Sequence, residues 1–183
     1  MLWGGLQGGL EVRQEGEAVR VAGRFPYGVR TELAPGYYET IAPGAFAARV
    51  NSDYEVHFLA GHDFEKPLAS RTAGTLELRE DNDALTFEAR IAAGTSWARD
   101  FLAAHASGLV RGLSPGFRIE RGGERVTRAG DVIHRTITNA ALFEISAVTR
   151  AAYPSAQIEA RDWSPRPSCV PPRPQNPQLR WRA

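Results

Sequence analysis

Thr75-Leu76-Glu77-Leu78-Arg79-Glu80, then Asp81-Asn82-Asp83, then Leu85-Thr86-Phe87-Glu88-Ala89-Arg90-Ile91: apolar and polar residues alternate on both sides of an acidic triplet. A period of two puts every second side chain on one face of an extended chain, so each run reads as a half-buried strand. Asp and Asn bond their own backbone two residues on and favour turns, so the triplet closes the two runs into a hairpin. Similar alternation occurs at Ala18-Val19-Arg20-Val21-Ala22-Gly23, and Tyr54-Glu55-Val56-His57-Phe58-Leu59-Ala60 and residues 110–119, 132–138 and 141–149 read as further strands.

Between these runs Gly28 and Pro35-Gly36 mark a loop, and Pro43-Gly44 leads into a short helix over residues 45–50. Residues 64–70 read as turn-like, and Arg121-Gly122-Gly123-Glu124 as a tight turn. One longer helix is expected, capped by Thr95 or Ser96 and running to about Ser107. Trp97, Phe101, Leu102 and His105 lie along one side of it, and Gly108 closes it. Many short strands with one or two helices predict a mostly β fold, a closed or nearly closed sheet rather than a βαβ series.

The 183 residues suit one domain with one core. Hydrophobic and charged fractions of 43% and 23% are ordinary for a soluble globular chain. No apolar run approaches the roughly 20 residues of a membrane helix. Met1-Leu2-Trp3-Gly4-Gly5-Leu6 has no basic n-region, so an intracellular address is expected. Cys169 is the only cysteine and lies in a Pro-rich stretch, which argues against thiol chemistry and an internal disulfide. Five arginines from Arg161 to Arg182 against Asp162 leave residues 161–183 at +4 and the rest at −3, so the body is not basic enough to argue for nucleic acid. The organisation expected is a loose N-terminus over 1–16, a folded domain over 17–160, and a Pro/Arg-rich disordered tail over 161–183.

Chemistry could sit at few places. Ser114 lies in Val110-Arg111-Gly112-Leu113-Ser114-Pro115-Gly116-Phe117, where Gly112 and Gly116 would leave room for an acyl group. A serine nucleophile needs an adjacent base; a serine in such a strand serves equally as a packing residue or turn hydroxyl. His62, in Ala60-Gly61-His62-Asp63, is the best base candidate because a loop past a strand end can present an imidazole to a cleft. A surface turn histidine is the plainer reading. His57 falls among packing positions, His105 on the helix is a rim or core residue, and His134 is a second imidazole or a cross-strand partner.

Glu144, in Leu142-Phe143-Glu144-Ile145-Ser146, interrupts an apolar run. Buried, it would need a donor such as an imidazole N–H; otherwise it faces solvent, opposite Phe143 and Ile145. No histidine pair has metal-ligand spacing, there is no CxxC, and phosphate-loop and dinucleotide fingerprints are missing. A serine, one or two histidines and a lone strand glutamate suit acyl transfer.

These blocks resemble the tailed-phage prohead (capsid maturation) serine proteases of the HK97 type, which are herpesvirus-assemblin-like. Residues 39–46 are similar to the family's Glu-x-Ile-x-Pro-Gly-Ala-Phe, and 56–63 to its strand ending in a His-Asp pair. Gly74-Thr75-Leu76 and the 81–87 hairpin look like the segment that follows. Residues 98–108 and 110–117 resemble its helix and Gly-x-Ser-x-Gly-Phe strand, and 142–156 its closing Glu-Ile-Ser-x-Val-Thr-x-x-Ala-Tyr-Pro-x-Ala. The resemblance covers about residues 17–158.

The resemblance implies a herpesvirus-protease-like closed β-barrel with peripheral helices. It also implies a serine endopeptidase that cleaves scaffold or the scaffolding segment of the major capsid protein during head maturation, with self-cleavage. Carried over, Ser114 is the nucleophile, His62 the general base and Glu144 the third member. Herpesvirus relatives use a second histidine there, which keeps His134 in reserve. Pro115 follows the serine where phenylalanine is frequent, and it supplies no oxyanion N–H; the loop around Arg150 is the candidate region instead. Arg150-Ala151-Ala152-Tyr153 also lacks the proline that commonly precedes the family's Ala-Tyr.

The expected partners are the major capsid protein and scaffold as substrates, with a homodimer conceivable and neither nucleic acid nor membrane involved. No metal or organic cofactor is expected, and the place of action is the host cytoplasm, inside the assembling procapsid. Two other classes fit the same residues: a non-catalytic scaffold-binding barrel that guides capsid assembly, and a small-ester hydrolase.

Overall fold

In the computed structural model, which describes residues 9–15 and 18–149, the 75–91 stretch forms the expected hairpin. Its turn is held by Asp81, whose Oδ1 accepts from the Asp83 and Ala84 N–H groups at 2.7 and 2.8 Å. Twelve strands and two helices follow one another along the described chain. They are β1 (Gly9–Glu15), β2 (Ala18–Pro26), β3 (Thr31–Ala34), β4 (Tyr37–Ile41), α1 (Ala47–Val50), β5 (His57–Ala60) and β6 (Asp63–Ser70). The series continues with β7 (Leu76–Glu80), β8 (Ala84–Ala92), α2 (Ser96–Ala106), β9 (Gly112–Ile119), β10 (Glu124–Ala129), β11 (Val132–Ile137) and β12 (Ala140–Val148).

The strands make three four-stranded sheets, in the orders β1-β2-β8-β7, β10-β11-β4-β3 and β6-β5-β12-β9. The fold is mostly β, as read from the alternation. The expected closed barrel is not reproduced as one ladder: among the described residues no backbone pairing joins the three sheets into a ring. They share one core instead. Phe58 of β5 lies 4.9 Å from Phe87 of β8 and 5.9 Å from Phe101 of α2, while Phe46 lies 5.4 Å from Phe117 of β9. Ile41 and Ile137 bring the β4 and β11 sheet into the same cluster.

Helix α2 is capped as predicted: Thr95 Oγ1 accepts from the Ala98 N–H at 3.3 Å, and Ala98 and Phe101 are its buried residues. Three expectations are corrected. The stretch read as a loose N-terminus contains β1, paired to β2 from Gly9↔Arg24 to Glu15↔Ala18. The turn-like 64–70 is part of β6, and a further strand, β10, follows the Gly122-Gly123 turn. The 161–183 tail lies outside the described residues.

The second sheet carries a buried ion pair. Parallel pairing sets Arg135 of β11 opposite Glu39 of β4, and the guanidinium donates to Glu39 Oε2 through Nε at 3.1 Å and Nη2 at 2.5 Å. Their side chains are 2% and 1% exposed. Removing one partner from a buried pair leaves a desolvated charge behind, which costs about 3–5 kcal/mol. Arg135→Met is therefore expected to lower the stability read from urea unfolding by about that much, and Glu39→Leu added to it to recover most of the loss. A loss under about 1 kcal/mol in the single variant would show that the pair is not holding this sheet.

Candidate active site

The site is built on β9, β12 and the β5–β6 turn. Beta12 runs antiparallel to β9 and parallel to β5, so that Glu144 is opposite Gly116 and His57, and Ser146 is opposite Ser114 and Leu59. A bulge at Phe143, between the paired Leu142 and Glu144, resets the alternation. Leu142 and Ile145 both join the hydrophobic core as a result, and Glu144 and Ser146 share the other face with Gly116 and Ser114. That face is covered: Glu144 is 3% exposed and Ser146 0%, so the solvent-facing reading of Glu144 does not hold. Phe143 instead lies under the guanidinium groups of Arg49 and Arg118, 5.1 and 5.5 Å from its ring centre.

Beta5 and β6 are joined by the two residues Gly61 and His62, closed by the Ala60↔Asp63 pair. Both have positive φ, 68° and 63°, the signature of a type I′ turn, whose twist matches that of the flanking strands. Glycine takes that region freely; for His62 it is a strained choice that the surroundings must hold. They do so from β12: the Gly61 N–H donates to the Ala147 carbonyl at 3.0 Å, and the His62 N–H to Ser146 Oγ at 2.9 Å. The imidazole then meets the carboxylate, with Nδ1 2.7 Å from Glu144 Oε1. Ser146 Oγ donates to the second oxygen, Oε2, at 2.5 Å.

The imidazole and Ser114 both line one cleft of about 600 Å³ whose walls include Trp97, Phe101, Ala104 and Val110. Trp97 is fixed there by its indole N–H, which donates to the Pro67 carbonyl at 2.9 Å. Ser114 is 4% exposed, and its Oγ has no hydrogen-bond partner among the described residues. The room expected over Gly116 for an acyl group is already taken: a Cβ on Gly116 would lie 2.6 Å from Glu144 Cδ and 2.8 Å from its Cγ. Gly116 makes space for the glutamate.

The remaining candidates sit elsewhere. His134 Nε2 is 2.8 Å from Thr40 Oγ1 in the β10-β11-β4-β3 sheet, so the structure brings Glu144, not His134, to His62. His105 Nδ1 donates to the Val110 carbonyl at 2.8 Å. His57 packs edge-on against Phe64, with a ring separation of 5.8 Å. Asp63, the second residue of the His-Asp pair, bonds Lys66 Nζ at 2.9 Å; that ammonium and the Glu65 N–H hold its carboxyl below the ordinary aspartate range. Arg150 lies outside the described residues. Among the described residues no cluster of three or more histidine, cysteine or acidic side chains could hold a metal.

A hydroxyl and an imidazole on one cleft, with a buried carboxylate against the imidazole, are the components of a serine hydrolase. A family model described as caudovirus prohead serine protease matches residues 10–166. The chain belongs to that family. No curated protein and no solved structure matches it significantly. The matched segment begins inside β1 and takes in every later strand and both helices. Sequence reading of this prohead protease missed Ser146 and the cleft residue Trp97. The signal for Ser146 was its spacing, two residues after Glu144 in a strand.

Proposed function

We propose that Ser114, His62 and Glu144 form the triad of a capsid maturation endopeptidase. It trims scaffold or the scaffolding segment of the major capsid protein, and itself, inside the assembling procapsid in the host cytoplasm. The observation that carries this reading is the 2.7 Å contact between His62 Nδ1 and the buried Glu144 carboxylate, at the cleft onto which Ser114 faces. Against an ionised carboxylate Nδ1 keeps its proton, which leaves the Nε2 lone pair as the acceptor. His62 Nε2 takes the Ser114 Oγ proton as Oγ bonds to the peptide carbonyl carbon. It returns the proton to the amine as the C–N bond breaks, and water hydrolyses the acyl-enzyme by the reverse relay.

Ser114 and His62 share the cleft without a hydrogen bond between them, an arrangement that free serine enzymes tighten when substrate binds. Pro115 has no N–H, so the oxyanion donors are assigned to the chain around Arg150. The same reading takes the three sheets as walls of a herpesvirus-protease-like barrel.

The purified chain incubated with its own capsid and scaffold subunits is expected to shorten one of them at discrete bonds, followed by intact-mass spectrometry. Fast turnover of small esters with both subunits left whole would make it an ester hydrolase. Neither activity, with stable binding to scaffold, would make it an assembly module.

A further inference from the structure

We propose that Ser146 is a positioning residue of this site: its hydroxyl fastens the Glu144 carboxylate to the turn that presents His62. The proposal rests on reading His62 and Glu144 as the base and its acid.

Three hydrogen bonds close a ring. His62 Nδ1 donates to Glu144 Oε1 at 2.7 Å, Ser146 Oγ donates to Glu144 Oε2 at 2.5 Å, and the His62 backbone N–H donates to Ser146 Oγ at 2.9 Å. A hydroxyl has one proton to give. Ser146 spends it on the carboxylate, so its lone pair is what receives the His62 amide, and the direction of both bonds at the hydroxyl is fixed. The side chain is wholly buried, and water cannot substitute for either contact.

The geometry has two consequences. With both carboxylate oxygens engaged, Glu144 cannot rotate about its terminal bond away from the imidazole. The left-handed backbone at His62 is held on β12 at the amide of the same residue whose ring is being aimed. A base placed by a two-residue turn would otherwise carry all the freedom of that turn. An error of about 1 Å in such a group costs on the order of 100-fold in rate.

The test compares wild type, Ser146→Ala and Ser146→Thr, with His labelled in ¹⁵N. The His62 Nδ1–H held against a carboxylate should give a downfield proton resonance, assigned by its absence in His62→Gln. Ser146→Ala should keep a dispersed amide spectrum, lose or broaden that resonance, and lower kcat for subunit trimming roughly 10- to 100-fold with KM within about twofold. Ser146→Thr, which keeps the hydroxyl, should restore both. Should the alanine variant fail to fold, Ser146→Cys, near-isosteric but a weak donor, takes its place with the same expectation.

An unchanged resonance and unchanged kcat in a folded Ser146→Ala protein would overturn the proposal. So would loss of stability alone, with kcat and the resonance retained by the folded fraction. A wild type that trims nothing but shows the resonance, lost in Ser146→Ala and regained in Ser146→Thr, would sink the protease reading and support the positioning role.

Discussion

Ser114→Ala is expected to give a protein at least as stable as the wild type that no longer trims its subunit. The two halves of that result have one cause. Ser114 Oγ is buried, and the described residues give this desolvated hydroxyl no bond in return. An unsatisfied buried polar group costs about 1–3 kcal/mol, and alanine removes it while leaving the Cβ packing of β9 in place. The melting temperature should therefore stay level or rise. Turnover should fall by a factor of at least about 10⁴, because removing a serine nucleophile leaves only binding and oxyanion contributions.

Stability gained where activity is lost is what an active-site residue held at a cost predicts. A purely structural serine predicts the opposite pairing, a destabilised protein whose folded fraction still cuts. Intact-mass kinetics on the capsid subunit, alongside thermal unfolding of both proteins, distinguishes them. Wild-type cutting by the alanine variant would remove Ser114 from the mechanism, and a stability loss above about 2 kcal/mol would show that the hydroxyl is bonded.

The strands that could be read from the chain were those with one buried face. Leu85, Phe87, Ala89 and Ile91 are all buried, and the run containing them is β8. Beta10 could not be read in that way. Glu124-Arg125-Val126-Thr127-Arg128-Ala129 is exposed at every position and exists as a strand because β11 pairs with it, so no apolar period marks it. Beta6 was hidden by Pro67 and by its Glu65-Lys66 pair, which suit a sheet edge, and β6 is the edge strand next to β5. Helix α2 was legible because its signals are local: Thr95 at one end and Gly108, with φ of 72°, just past the other.

The site divides along the same line. Each of Ser114, His62 and Glu144 stands out from its neighbours, but nothing local joins them. The contact between His62 and Glu144 spans 82 residues of sequence and depends on a parallel ladder, a bulge at Phe143 and a two-residue turn acting together. Only the ordered resemblance of several blocks linked these residues before the fold did. The Glu39–Arg135 pair shows the same limit: Glu39 was visible as part of a motif, but its partner lies 96 residues away and is set by the β4–β11 register.

Gly116→Ala is the substitution whose small chemical size and large expected effect differ most. Gly116 is extended backbone in the middle of β9, where alanine suits the chain conformation. What forbids a side chain is the carboxylate of Glu144, whose Cδ and Cγ would lie 2.6 and 2.8 Å from the new Cβ. An exposed glutamate would swing away at little cost. This one is 3% exposed and bonded at both oxygens, to His62 and to Ser146, so moving it breaks the contacts that hold the His62 imidazole.

The expected result is a folded protein, destabilised by about 1–3 kcal/mol as overpacked sites are, whose kcat drops by roughly 10²–10⁴ with KM little changed. The upper bound is set by the loss seen when a triad acid can no longer orient its histidine. Gly94→Ala is the control, since its Cβ would meet nothing within 4 Å; it should alter stability by less than about 0.5 kcal/mol and leave turnover alone. If Gly116→Ala folds and trims at the wild-type rate, the glutamate can leave without consequence, and the third member of the triad must be sought elsewhere. If it is inactive and the His62 Nδ1–H resonance is absent with the rest of the spectrum unchanged, the failure lies at the imidazole and carboxylate pair rather than in substrate binding.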